Sequence, residues 1–73
     1  MVNIVSQFTI KNKISILRNE KQMTQQALAD AVGVTRATIN AMERGAYNPS
    51  LELAFRLARF FETDIHTIFF VEE

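Results

Sequence analysis

The spacing of apolar residues changes along the chain, and each change predicts an element. Over residues 1–10, Val2, Ile4, Phe8 and Ile10 share one parity and Asn3, Gln7 and Thr9 the other, which is the period-two pattern of a strand. From Asn12 the period lengthens. Ile14 and Leu17, with Met23 closing the segment, predict a short amphipathic helix ending near Lys21. Leu28, Ala29, Ala31 and Val32 give one packing side to a second helix over residues 25–32, and Ile39 and Met42 give one to a third over residues 36–44. Leu53, Leu57 and Phe60 or Phe61 predict the inward side of a fourth helix reaching about Phe61, and the closing "IFFVEE" reads as a strand able to pair with the first.

Polar residues and glycines mark where these elements start and stop. Thr24, Thr35, Ser50 and Asp64 each precede a helical stretch, where a side-chain oxygen can accept from an unpaired first-turn N–H. Gly33 and Gly45 follow the second and third helices, and glycine enters the left-handed region at little cost. Asn48-Pro49 predicts a turn, and Asp64 opens a last short helical turn. On the third helix Arg36, Thr38 and Asn40 are expected towards solvent.

Counted from Gln25, the stretch "QQALADAVGVTRATINAMER" sets Ala29 at position five and Gly33 at position nine, with Leu28, Val32, Val34, Ile39 and Met42 at four, eight, ten, fifteen and eighteen. Two helices joined by a short turn at about 90–120° need a small residue where they cross, a glycine in the turn and apolar residues where both meet the core. The second helix of such a pair stands proud of the body, a shape suited to a major groove about 12 Å wide.

With "NPSLELAFRLARFF" and "DIHTIF" in register downstream, residues 12–69 resemble the Cro/repressor-type helix-turn-helix family, also called XRE or lambda-repressor-like. The resemblance implies one domain over residues 1–73, mainly α: a five-helix bundle with its helix-turn-helix at about 25–44. The strand-like ends are similar to a small dimeric subgroup that includes the cytolysin repressor, and imply a small antiparallel two-stranded sheet from the termini.

The resemblance also implies roles. Gln25 would hold a phosphate from a helix N-terminus, and Thr35 would cap a helix while touching phosphate. Arg36 and Ala37 would take the first reading positions, Thr38, Asn40 and Ala41 the next, and Arg44, Tyr47 and Asn48 would grip the backbone beyond. Arginine pairs bidentately with guanine and asparagine with adenine, whereas Ala37 and Ala41 can only touch a thymine methyl or permit close approach. Readout is therefore expected to lean on Arg36 and Asn40. Arg18 and Glu43 match positions that pair across helices one and three. Other uses stay open: Gln25 and Thr35 as caps only, Tyr47 as loop packing, and Arg56 with Arg59 as a solvated face.

Composition narrows the function classes. Net charge is zero, yet residues 1–44 hold six basic and three acidic side chains and residues 45–73 two basic and five acidic, so a basic face can meet a polyanion. There is no cysteine, no glycine-rich phosphate loop and no nucleophile with a base at credible spacing, so neither catalysis nor a cofactor is expected. His66, the sole histidine, lies four residues after Glu62; two ligands make a poor metal site, and a surface or dimer contact is the expected use. No apolar run approaches the roughly 18 residues of a spanning helix, and the start lacks a signal-peptide pattern, so a cytoplasmic protein is expected.

Phe60, Phe61, Phe69 and Phe70 cannot all point inward, so Ile65, His66, Ile68 and Phe69 are expected to form a homodimer interface. A dimer would set two recognition helices about 34 Å apart on an inverted-repeat operator. The expectation is a dimeric repressor binding double-stranded DNA, without a separate sensor domain. Two alternatives are an antitoxin that binds a small protein partner through the apolar patch, and a protein-interaction module without a DNA role.

Overall fold

The computed structural model describes residues 8–73. In chain order these form β1 (Thr9–Asn12), α1 (Ile14–Glu20), α2 (Gln25–Val32), α3 (Arg36–Glu43), α4 (Leu51–Phe60), α5 (Ile65–Ile68) and β2 (Phe69–Glu72). The fold is a five-helix bundle carrying one antiparallel two-stranded sheet, with Thr9 opposite Glu72 and Asn12 opposite Phe69. Of the strand expected over residues 1–10, Thr9 and Ile10 lie in β1, which continues to Asn12, and Phe8 precedes it; residues 1–7, Val2 and Ile4 among them, lie outside the described residues.

The caps explain the helix starts. Thr24 Oγ1 accepts from the Ala27 N–H at 3.0 Å, Thr35 Oγ1 from Thr38 at 3.2 Å, Ser50 Oγ from Leu53 at 3.1 Å and Asp64 Oδ1 from Thr67 at 2.8 Å. At α1 the cap comes from one residue earlier: Asn12 Oδ1 accepts from the Ile14 N–H at 3.1 Å. Gly33 closes α2 at φ +78°, its N–H donating to the Ala29 carbonyl at 2.9 Å. Helix α3 stops at Glu43, one residue short of expectation, with Arg44 as its C-cap.

The fully buried side chains Ile14, Leu28, Ile39, Met42, Leu57 and Ile68 come from every helix, so each element depends on the others for its apolar partners. Burying one such side chain contributes about 1.5–3 kcal/mol. Phe61 joins this core, and its ring meets that of Phe60 edge-on at 5.2 Å. Ile68 corrects an expectation: it is wholly covered within one chain, because α5 lays it against the core, and it has no surface to offer a second copy.

A Cβ at Gly33 would sit 3.4 Å from the Arg56 guanidinium, a contact that fits, so the cost of a side chain there is conformational. Gly33→Ala is expected to lower unfolding stability by about 1 kcal/mol in urea titration, the left-handed penalty net of the gain from a stiffer unfolded chain. An unchanged midpoint would contradict this.

Candidate nucleic-acid interface

Ala29 on α2 has no exposed surface, and the turn between α2 and α3 is closed by the Val34 N–H donating to the Ala29 carbonyl at 3.0 Å. With Ile39 and Met42 facing the core, the remaining side of α3 is outward. Arg36 and Ala37 are exposed at its first turn, and Thr38, Asn40 and Ala41 are half-buried behind them. Arg36, Ala37 and Asn40 line an open hollow of about 480 Å³. Among the described residues Arg36 forms no salt bridge. Thr35 keeps its hydroxyl 2.9 Å from that of Thr38, while Arg44, Tyr47 and Asn48 are exposed just past the helix. Tyr47 is 44% exposed.

One carboxylate joins the three helices behind this face. Arg18 on α1 donates to Glu43 on α3 twice, Nε to Oε2 at 2.7 Å and Nη2 to Oε1 at 3.1 Å, and donates from Nη1 to the Met23 carbonyl at 2.7 Å. Gln25, the first residue of α2, donates to Glu43 Oε1 at 3.0 Å. The Arg18 and Glu43 side chains are only 14% and 8% exposed. Burial pushes the Glu43 carboxyl up, but the bonds from Arg18 and Gln25 and the Arg18 charge outweigh it and hold it below its usual value. The bond to Glu43 raises the Arg18 guanidinium against burial.

Two anchoring side chains had no signal in the sequence pattern. Arg56, read there as part of a solvated face, donates from Nη1 to the Val32 carbonyl at 3.0 Å and from Nη2 to Glu52 at 2.7 Å, so it caps the C-terminus of α2 from α4. Asn12 donates from Nδ2 to the Met42 carbonyl at 3.0 Å and so holds the C-terminal end of α3 to β1. Neither contact is local: the partners lie 24 and 30 residues away.

A second surface is apolar. Leu51 and Phe55 on α4 are 71% and 53% exposed. A hollow of about 490 Å³ bordered by Phe55, Ile65 and His66 adjoins, at Ile65, another of about 320 Å³ bordered by Leu51, Phe69 and Ile10. Ile65 and Phe69 are half-buried and His66 is exposed. Glu62, at φ +55°, breaks the chain between α4 and α5, so Glu62 and His66 do not share a helix face.

The helix-turn-helix family profile matches residues 14–68. The chain belongs to the XRE-type helix-turn-helix family. It is 47% identical over 64 residues to an uncharacterized HTH-type transcriptional regulator of Methanocaldococcus jannaschii, covering 88% of this chain and 97% of that one. It is 37% identical over 54 residues to the cryptic phage CTXphi transcriptional repressor of Vibrio cholerae, covering 74% of this chain and 49% of the repressor. Among solved structures, it is similar to the restriction-modification controller protein of Aeromonas hydrophila, at TM-score 0.69 and 29% identity, covering 75% of this chain and 80% of that one. Among the described residues, no helix of this helix-turn-helix protein is long and apolar enough to cross a membrane.

The lowered Glu43 value fixes the sign of a pH effect. A carboxyl depressed by folding contributes its stability in full above its unfolded value, about 4.3, and loses it as pH falls through the lower folded value. Glu43→Gln is expected to lower unfolding stability at pH 7 by roughly 1.5–3 kcal/mol, the worth of hydrogen bonds to a charged group. The gap between wild type and variant should narrow progressively as pH falls below about 4. A gap that persists unchanged at pH 3, or is missing at pH 7, would contradict the assignment.

Proposed function

We propose that this helix-turn-helix protein is a homodimeric, cytoplasmic repressor that binds an inverted-repeat operator by laying α3 in the major groove of each half-site. The observation that carries the reading is the exposed first turn of α3, where Arg36 stands beside Ala37 with no salt-bridge partner among the described residues. Its guanidinium suits the O6 and N7 edge of guanine, and the small Ala37 and Ala41 side chains let the helix approach the bases closely.

The flanks of that helix suit phosphate. The first turns of α2 and α3 present unpaired N–H groups, which favour anions, beside Gln25 and Thr35. Arg44, Tyr47 and Asn48 offer further donors past the other end of α3. The repressor of Vibrio cholerae supports the sign of regulation.

The apolar surface supports the dimer. The expected contacts Ile65, His66 and Phe69 are retained and Ile68 is replaced by Leu51 and Phe55, whose exposure on one continuous face calls for a cover. Two copies joined there would present two α3 helices to one side of a duplex about one turn, 34 Å, apart.

Selection from random duplexes at two salt concentrations tests the DNA reading. Wild type should enrich a palindrome with half-sites about one turn apart, and Arg36→Ala should lose preference at one base pair per half-site, worth about 1–3 kcal/mol. Binding that merely fades with salt, with no enriched sequence, would overturn it.

Sedimentation tests the dimer separately: Phe55→Glu should convert a two-chain species to one chain while its helical circular dichroism persists. Unchanged mass in the variant, or a wild type of one chain, would contradict the face, and a small second protein recovered with the wild type would favour an antitoxin instead.

A further inference from the structure

Gln25 and Asn40 carry amides whose two ends could point either way in isolation, but their surroundings allow one arrangement. At the inner end stands the Glu43 carboxylate, which can only accept, so Gln25 must turn its Nε2 inward, at 3.0 Å. That leaves Gln25 Oε1 facing Asn40, whose Nδ2 donates to it at 3.5 Å, the longest link in the series. At the outer end stands the Arg44 guanidinium, which can only donate, and its Nε reaches Asn40 Oδ1 at 2.8 Å. Acceptor-only and donor-only groups at the two ends thus orient both amides in between. Reversing either amide would set N–H₂ against N–H₂, or oxygen against oxygen.

We infer that Asn40 is a positioning residue which holds Gln25 and Arg44 in place for the DNA backbone, and that it is not a reader of adenine. Bidentate reading of adenine needs one amide oxygen and one amide N–H₂ together. On Asn40 the oxygen takes the Arg44 Nε–H at 2.8 Å and the N–H₂ faces Gln25 Oε1 at 3.5 Å. Only the second lone pair and the second hydrogen are left for a base, so reading adenine would have to keep or give up both contacts. Asn40 is half-buried, whereas Arg36 and Ala37 in the same hollow are exposed. Base readout by α3 then falls to Arg36, and Asn40 works by reducing the freedom of two side chains that flank the helix. Long side chains lose much rotamer freedom when fixed, so holding them beforehand strengthens binding without selecting a base.

The inference rests on the DNA-binding reading and is tested apart from it. In the free protein, Asn40→Ala should move the Arg44 Nε–H and Gln25 side-chain amide resonances, and Asn40→Asp, which keeps an oxygen facing Arg44, should restore the Arg44 signal. Unmoved resonances would overturn the proposal before any DNA is added. On the selected duplex and each of its single-base variants, Asn40→Ala should weaken binding by one common factor, about fivefold, with the order of preference unchanged. Arg44→Ala should lower the log–log salt slope by about one, and Asn40→Ala should cost less in that background than alone. Loss of preference at a single base pair would show that Asn40 reads sequence, and additive effects of the two substitutions would overturn the proposal by showing that Asn40 does not act through Arg44. A wild type that prefers no sequence would overturn the DNA-binding reading and this inference with it.

Discussion

The carboxylate of Glu43 is where α1, α2 and α3 are joined by charge, and the outward face of α3 depends on it. A carboxylate buried to this degree is tolerable only when its oxygens are supplied with donors, and here Arg18 supplies two and Gln25 a third. Glu43 also ends α3. The same end is tied to β1 through Asn12 and the Met42 carbonyl, while Ile39 and Met42 hold the helix to the core. Turning α3 about its axis would break all of these contacts together. Arg36, one helix length away, therefore has its direction set by a contact it does not make.

The same logic joins the second surface to the first. Arg56 reaches from α4 to the last carbonyl region of α2, so the helix that displays Leu51 and Phe55 is bonded to the helix that precedes the recognition element. In a dimer built on that apolar face, the separation of the two α3 helices would follow from contacts inside each chain. Half-site spacing would then be a property of the fold, and Arg56 would be structural although it is charged and lies near other basic groups.

Local chemistry was legible in the sequence and distant geometry was not. Thr24, Thr35, Ser50 and Asp64 announced their helices because a cap needs only a residue three positions on, and Gly33 announced a stop because its φ of +78° disfavours a Cβ. Leu28, Ile39, Met42 and Leu57 followed from helical spacing. Arg56 and Asn12 escaped because their partners are backbone carbonyls, which carry no residue signature. Ile68 was misplaced because apolar patterning says that a residue is covered without saying by what; the core and a second copy leave the same trace. Asn40 looked like a free reader because Gln25 meets it only once α2 and α3 have packed together, although its contact with Arg44, four residues on, was within reach of helical spacing.

The central claim is that the first turn of α3 meets guanine in the major groove, and methylation interference on the selected duplex tests it most directly. Methylation at guanine N7, which lies in the major groove, should block binding at one base pair per half-site, with the two sites about one turn apart, and Arg36→Ala should become indifferent to it. Interference from adenine N3 methylation in the minor groove, with guanine N7 methylation harmless, would contradict the account.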